Sequence, residues 1–210
     1  MWYIFGMDNL NRTLAELSVV RAQLARGVYY RGYRAVVVLC TGVVAVAAAR
    51  LQPLLVAPDR PRLFVLYWAA VAMVNIAIAA TAALAAGRNG DRLSQQQTIS
   101  VFGAAVATLA AGALATVGIT LARPDAIALL PGLWCLFFAV GIFATLSYLP
   151  RAIGWSGVWY FAAGMALLLA SDSQLPLRPW GMGFSFGVGQ ILGAILFYFC
   201  LERNNHEQEN

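Results

Sequence analysis

Apolar residues in this chain are gathered into long uninterrupted runs, separated by short segments that carry the charged residues. Uncharged runs extend over Leu63 to Ala86, Leu93 to Ala122, Ala126 to Pro150, Ala152 to Ser171 and Pro179 to Leu201. A helix needs roughly 20 mostly apolar residues to cross the hydrocarbon core of a bilayer. Each run therefore predicts one transmembrane helix.

A further span is predicted ahead of these runs, although an arginine interrupts it. The apolar run from Ala35 to Ala49 is short for a bilayer, but Leu51 and Leu54 continue it beyond Arg50. The long aliphatic stem of an arginine can carry its charge out to the membrane interface. Because the connections between the runs are short, consecutive helices are expected to lie antiparallel in one bundle. The predicted fold class is an all-α polytopic transmembrane helical bundle with about six spans.

The ends of the chain are polar, which divides the sequence into three parts. Residues 1–33 are predicted to form a cytoplasmic or interfacial helix, residues 34–201 the bundle, and residues 202–210 a polar tail. Asn11 or Thr13 has the side chain of an N-cap residue for the first helix. A narrow apolar stripe along that helix is formed by Leu10, Leu14, Leu17 and Leu24. Such a stripe suits either a helix lying on the membrane surface or a dimerisation or docking handle.

Composition and charge support a membrane environment and predict an orientation in it. The mean hydropathy is +0.72, and 61% of the residues are hydrophobic against 11% charged, unlike an ordinary soluble domain. The net charge of +5 results from 14 arginines and nine acidic residues. The arginines flank the apolar runs, which is a pattern of membrane topology rather than of a nucleic-acid interface. One side of the predicted membrane holds Arg12, Arg21, Arg26, Arg31, Arg34, Arg88, Arg92, Arg151 and Arg203, and the other side holds Arg50, Arg60, Arg62, Arg123 and Arg178. Because basic residues favour the cytoplasmic side, both termini are predicted to be cytoplasmic.

The central parts of the predicted spans hold no ionisable side chain suited to proton transfer or metal binding. The single histidine, His206, lies in the polar tail, and Cys40, Cys135 and Cys200 lie in different spans without metal-like spacing. The serines of the spans have no neighbouring histidine, lysine or carboxylate to activate them. We therefore predict that the protein is not an enzyme and has neither catalytic residues nor a metal site. A quinone or pigment held by apolar contacts stays open, so any cofactor is unknown.

Two strong hydrogen-bonding side chains, Asn75 and Gln190, remain within the predicted spans. Each is expected either to bond a neighbouring helix, a contact worth roughly 0.5–2 kcal/mol in membranes, or to bind a ligand. Trp134 follows Pro131 and is expected to point into the bundle as a third polar contact. Small residues that permit close helix packing are expected at Gly183, Gly187, Gly189 and Gly193, and in a row formed by Gly103, Ala107, Ala111 and Ala115.

Part of the sequence resembles a known group of bacterial proteins. The stretch from Leu129 to Trp134, LLPGLW, is followed by Gly141, Pro150, Gly164 and the glycines from Gly187 to Gly193, and this series resembles uncharacterised bacterial six-helix integral membrane proteins. The segment from Val20 to Arg26, VRAQLAR, is similar to their leading helix. The resemblance implies a six-helix membrane fold without an established activity, encoded by genes that often lie beside those of winged-helix regulators. Members tend to carry a histidine in the last span, where this chain has Gln190.

Two functions of different classes fit these observations. The first is an accessory or structural subunit, or a regulator, of a larger assembly in the bacterial cytoplasmic (inner) membrane. Its partners would be the lipid bilayer and either another membrane protein or a second copy of the chain, with no nucleic acid. The alternative is a small-solute transporter or channel with an uncharged polar pathway, for which the candidate lining residues are Asn75, Gln190, Thr116, Thr120 and Ser185. A lipid-modifying enzyme would have to use surface residues that form no recognisable constellation, namely Asp91, Arg92, Asp172 and Arg151.

Overall fold

The structure is a computed structural model that describes residues 35–88, 92–147, 149–173 and 175–202. The helix predicted within residues 1–33 and residues 203–210 of the predicted polar tail lie outside the described residues. Within the described ranges the chain is helical and contains no β-strand. The prediction of an all-α fold is confirmed.

The described chain forms a series of long helices joined by short turns. The α-helices are α1 (Ala35–Leu55), α2 (Pro61–Arg88), α3 (Arg92–Ala122), α4 (Leu130–Thr145), α5 (Gly154–Leu169) and α6 (Pro179–Phe197). Short 3₁₀ helices precede the last three at Pro124–Leu129, Arg151–Ile153 and Leu175–Leu177, and a π-helical turn, Tyr198–Glu202, follows α6. Pro61 and Pro179 are the first residues of their helices, where the missing N–H of proline costs no hydrogen bond.

Most of these helices are long and apolar enough to cross a membrane. Five candidate spans, with mean hydropathy between 1.5 and 2.3, cover α1, α2, α6 and the helices α4 and α5 with their 3₁₀ extensions. Helix α3 has 31 residues, and its described apolar part is Val106–Ala122. The helices coincide with the predicted runs, and the chain is a multi-pass α-helical membrane protein.

Helices α1 and α6 form the most extensive contact of the bundle, and glycines make it close. A Cβ built on Gly187 would lie 2.6 Å from Val46 Cγ2, and one built on Gly193 would lie 3.4 Å from Val38 Cγ1. Residues later in α6 contact residues earlier in α1, so the two helices are antiparallel. Gly183, nearer the start of α6, packs against Ala49 in the same order. These contacts are of the kind expected where glycines permit close helix packing.

Helices α4 and α5 pack through a reciprocal pair of glycines. A Cβ built on Gly132 would lie 2.9 Å from the carbonyl oxygen of Gly164, and one on Gly164 would lie 2.9 Å from that of Gly132. Gly189 of α6 lies against the ring of Tyr160 in α5 in the same way. Backbones that approach this closely gain van der Waals contact, which has to replace the hydrophobic effect inside a bilayer.

Helix α3 packs against α4 with one face and leaves its other face uncovered. Thr108 lies against Gly141, whose built Cβ would be 2.8 Å from Thr108 Oγ1, and Gly112 lies against Phe137. Gly103 lies about half a turn around the helix from Gly112, at 100° per residue. A Cβ built on Gly103 meets no atom within 4 Å. Among the described residues α3 therefore uses its threonine face for the contact with α4, and the packing role of Gly103 stays a prediction.

Helix α2 is the least covered of the candidate spans. In its most apolar window 17% of the residues are buried, against 39–44% in the other four. The buried residues near its start, Phe64, Val65 and Trp68, join a core cluster with Ile127 and Leu130. The N-terminal end of α2 is thus attached to the bundle by this cluster, and Ala83, 4% exposed, is buried near its other end.

Candidate functional site

A buried polar network lies at the end of the bundle where α1 ends and α2 and α6 begin. Trp68 Nε1 of α2 donates a hydrogen bond of 2.9 Å to Gln52 Oε1 of α1. Gln52 Nε2 in turn donates to the carbonyl oxygen of Leu177, in the turn before α6, at 2.9 Å. Gln52 and Trp68 are each only 4% exposed. A buried amide is costly unless it is hydrogen-bonded, so this network fixes the positions of three segments relative to one another.

A proline and a second hydrogen bond to α2 mark the last turns of α1 around Gln52. Pro53 follows Gln52 within α1 and has no N–H to donate to the carbonyl four residues earlier. Helix α1 ends at Leu55, two residues later. Tyr67 Oη donates to the carbonyl oxygen of Ala48 at 2.6 Å, which adds a second bond between α2 and α1. Both polar side chains of α2 at this level therefore bind the last two turns of α1.

Aromatic rings extend this network from α2 to α3 and α4. The ring of Phe64 stacks on that of Trp134, with centroids 6.4 Å apart and an interplanar angle of 6°. Trp134 Nε1 donates to Thr116 Oγ1 at 2.8 Å, and the Thr116 hydroxyl donates to the carbonyl oxygen of Gly112 at 2.7 Å. Trp134 is half-buried and points toward α3, in agreement with the inward orientation predicted for it.

Asn75 carries a buried oxygen that no described residue satisfies. Neither its Oδ1 nor Thr120 Oγ1 of α3 has a hydrogen-bond partner among the residues that the structure describes. Asn75 lies on the same side of α2 as Phe64, Trp68 and Val71, at the helical spacings of three and four residues. An unpaired buried oxygen costs about 1–3 kcal/mol, so each of these atoms marks a place where a water or a polar ligand would be stabilised.

Gln190 lies in a different environment, in the contact between α6 and α1. A Cβ built on Gly42 of α1 would be 2.9 Å from Gln190 Cβ. The side chain is half-buried, and no hydrogen bond joins it to Asn75 in the described part of the chain. The structure thus does not bring the two predicted intramembrane polar residues into one site.

A second polar cluster, between α4, α5 and α6, directs its donors to backbone carbonyls. Trp159 Nε1 donates to the carbonyl oxygen of Ser185 at 2.9 Å, and Ser185 Oγ donates to that of Gly181 at 2.7 Å. The fully buried thiol of Cys135 lies beside the Ser185 hydroxyl. The hydrogen bonds of this cluster join α5 to α6 and fix Ser185 within α6.

Charged side chains lie at the ends of the helices. Arg123 and Asp125 form an exposed ion pair of 2.9 Å. The hydrogen bond between their side chains raises the pKa of the Arg123 guanidinium. Arg50 lies over the ring of Trp180, 4.8 Å from its centroid, as expected for an arginine that extends to the membrane interface. Among the residues that the structure describes, no three of the His, Cys, Asp and Glu side chains are grouped to hold a metal ion.

Gln52 is the principal site residue that sequence reasoning missed. In the sequence it stands between Leu51 and Pro53, within the stretch beyond Arg50 that continues the predicted first span. A glutamine near the end of a span, directly before a proline, is a signal that could have identified it, because a buried amide requires a partner. Its partner Trp68 is visible only in the folded chain, since 16 residues separate the two.

Comparison with known proteins identifies no relative. No family model, no curated protein and no solved structure matches the chain. The resemblance of Leu129 to Trp134 to bacterial six-helix proteins accordingly stays a prediction.

Proposed function

We propose that the protein is an accessory or structural subunit of a larger membrane assembly, which packs beside another integral membrane protein. The observation that carries the proposal is the uneven burial of the bundle. Helices α1 and α6, and α4 and α5, pack closely on one another, whereas α2 has 17% of its most apolar window buried. A large part of the surface of α2 is therefore not covered by any described residue, and lipid or a partner helix would contact it.

The face of α3 that points away from α4 carries small residues, and this supports the proposal that the partner contributes a helix. Gly103, Ala107, Ala110 and Gly118 lie within about 80° of one another around α3, at 100° per residue, and all four are exposed. Cβ atoms built on Gly103 and Gly118 meet nothing within 4 Å. Small residues allow a second backbone to come close enough for extensive van der Waals contact, which is a main source of helix association in membranes.

Photo-crosslinking in intact membranes tests this proposal. A benzophenone amino acid would replace Met73 on α2 or Leu114 on α3, which are 65% and 73% exposed. Leu169 on α5 and Phe184 on α6, 80% and 56% exposed, are the matched controls on the opposite part of the bundle. We expect a crosslinked product of defined mass from the α2 and α3 positions, and mass spectrometry of that product should contain peptides of a second, different membrane protein.

Other results of the same experiment would overturn the proposal. Crosslinks to lipid alone at Met73 and Leu114 would mean that no protein covers these helices. A product of twice the chain mass that contains only this chain would assign the surface to a second copy. Equal crosslinking from the control positions would show unspecific contact.

We further propose the bacterial cytoplasmic membrane as the location, with both termini in the cytoplasm. The distribution of arginines supports this orientation, since the connection from α4 to α5 with Arg151 lies on the same side as the chain end after α6. A reporter active only in the cytoplasm, fused after Glu209, should be active. A fusion at this position that is active only outside the cytoplasm would reverse the orientation.

One observation favours the alternative of a small-solute transporter or channel with an uncharged polar pathway. Of the candidate lining residues, Thr116 and Ser185 are bonded to backbone carbonyls, whereas Asn75 Oδ1 and Thr120 Oγ1 are unpaired. A water-filled pathway along α2 and α3 would satisfy both atoms.

Thiol labelling separates the two functions. The native cysteines would be replaced by alanine and Asn75→Cys introduced. Membranes that contain this variant would then be treated with a water-soluble maleimide, and the labelling of the new cysteine measured. Val71→Cys, one turn earlier on the same helix, is the control. For an accessory subunit we expect both positions to be unreactive. Rapid labelling of Asn75→Cys without labelling of Val71→Cys would favour the pathway.

A further inference from the structure

A groove opens at the membrane-boundary end of α4 and α5, on the side opposite the Gln52 network. Its volume is about 520 Å³. Its walls include Phe143, Leu146, Ser147, Arg151, Trp155 and Val158. The residues come from the end of α4, the turn that follows it and the start of α5, so the groove is built where a helical hairpin meets the membrane interface.

The polar groups of this groove are all available as hydrogen-bond donors. The guanidinium of Arg151, the hydroxyl of Ser147 and the indole N–H of Trp155 belong to exposed side chains. No hydrogen bond or ion pair engages these three groups in the part of the chain that the structure describes. None of the described residues that line the groove is an acid. The described lining therefore presents one positive charge and several donors without an anion.

The apolar residues of the groove face the region that lipid occupies. Phe143 and Val158 are 37% and 46% exposed, and they belong to candidate membrane spans. Trp155, 67% exposed, stands between them and the charged end. Tryptophan is stabilised at headgroup depth, where its ring contacts apolar groups while its N–H reaches polar ones.

The second groove of the bundle provides a contrast. It has a volume of about 420 Å³ at the start of α2 and is lined by Arg60 and Arg62, but also by Asp59. A carboxylate within reach of the arginines competes with an incoming anion. The groove with Arg151 lacks such a competitor among its lining residues.

We propose that the groove between α4 and α5 binds an anionic phospholipid, whose phosphodiester lies against Arg151, Ser147 and the indole N–H of Trp155. An arginine guanidinium offers paired N–H donors that match phosphate oxygens. The acyl chain of the lipid then runs along Phe143 and Val158. The absence of a neighbouring acid selects lipids with a net negative charge over zwitterionic ones.

Native mass spectrometry of the protein purified in mild detergent tests this site. Phosphatidylglycerol, phosphatidylcholine, glycerol 3-phosphate and inorganic phosphate would be added separately, and the bound fraction measured. Arg151→Gln is the test variant, and Arg123→Gln is the matched control, because Arg123 also lies at a helix end but is paired with Asp125. We expect phosphatidylglycerol to bind about tenfold more weakly to Arg151→Gln, as for the loss of one charge-assisted hydrogen bond, and unchanged to Arg123→Gln.

Each other outcome counts against the site. Unchanged binding of phosphatidylglycerol to Arg151→Gln, or an equal loss in Arg123→Gln, would remove Arg151 from recognition. Equal binding of phosphatidylcholine to the parent protein would contradict selection by charge. Competition by inorganic phosphate or glycerol 3-phosphate would assign the groove to a soluble phosphate. If Arg151→Gln does not fold, Ser147→Ala takes its place. The two lipids are then compared on the parent protein and on Ser147→Ala, which should bind phosphatidylglycerol more weakly than the parent does. Equal binding by both proteins would count against the site.

Discussion

Replacing Trp68 with phenylalanine would remove the one donor that reaches the side-chain carbonyl of Gln52, while an aromatic ring stays in the core. Gln52 Oε1 would then be unpaired in a residue that is 4% exposed. An unpaired buried acceptor costs about 1–3 kcal/mol. A typical interhelical hydrogen bond in membranes is worth about 0.6 kcal/mol, which sets the lower limit. We expect a destabilisation of about 2 kcal/mol for Trp68→Phe.

Thermal unfolding in mild detergent, followed by circular dichroism, measures this effect. For a chain of this size 1 kcal/mol corresponds to about 2–4 °C in Tm, so Trp68→Phe should melt about 4–8 °C below the parent protein. Trp134→Phe is the matched control. This substitution removes the indole N–H that donates to Thr116 Oγ1. The Thr116 hydroxyl keeps its own bond to the carbonyl oxygen of Gly112, and Trp134 is only half-buried. We expect a smaller shift for this control.

A double-mutant cycle shows whether the effect comes from the hydrogen bond itself. Gln52→Leu leaves both Trp68 Nε1 and the Leu177 carbonyl without their partner. In the double variant with Trp68→Phe only the carbonyl remains unpaired, and the penalties of the unpaired Gln52 oxygen and the unpaired Trp68 N–H both disappear. The two changes should therefore together cost at least about 2 kcal/mol less than their sum. Strict additivity, or an unchanged Tm for Trp68→Phe, would refute the role assigned to this pair.

Further substitutions test the packing and the surface charges. Gly189→Ala should lower Tm more than Gly193→Ala, because a Cβ at the first position would lie 2.7 Å from the hydroxyl oxygen of a buried tyrosine, whereas the second has 3.4 Å to its nearest neighbour; equal shifts would contradict this order. Gly103→Leu should leave Tm of the purified chain unchanged, since no atom lies within 4 Å of its built Cβ, and a large loss would show that this face packs within the chain. Asp125→Asn removes the negative charge and one of the two acceptor oxygens that raise the pKa of Arg123, yet both side chains are exposed, so Tm in low and high salt should match that of the parent.

The number and limits of the helices follow from the sequence, because bilayer thickness dictates how long an apolar run must be. The first span is predicted to continue beyond Arg50 through Leu54, and α1 ends at Leu55, while the predicted run that starts at Pro179 coincides with the start of α6. The arginine at position 50 did not break the first span, since its side chain extends over Trp180 at the boundary. These features depend on local composition, which a single sequence contains in full.

Helix faces were harder to predict, because small residues occur on more than one side of the same helix. In α6 the glycines at 187 and 193 meet α1, whereas Gly189 meets α5, so all of them pack. In α3 the row that begins at Gly103 turns gradually around the helix, and only its later members, Ala111 and Ala115, are half-buried. Spacing alone does not say which face a neighbour will cover, since lipid accepts any apolar surface.

The distribution of polar contacts explains how a bundle with so little buried charge holds its least covered helix. Helix α2 is bound to α1 through Tyr67 and Trp68 near its start, and Phe64 joins it there to α4. Farther along the same helix, Asn75 Oδ1 has no partner. Weakening the Trp68 bond should therefore affect the attachment of α2 more than the contact of α4 with α5. If α2 docks against another protein, Trp68→Phe should reduce the crosslink from Met73 even where the rest of the bundle remains folded, because the partner would meet a helix whose position is no longer fixed. An unchanged crosslink in a variant with a lowered Tm would separate the network from partner binding.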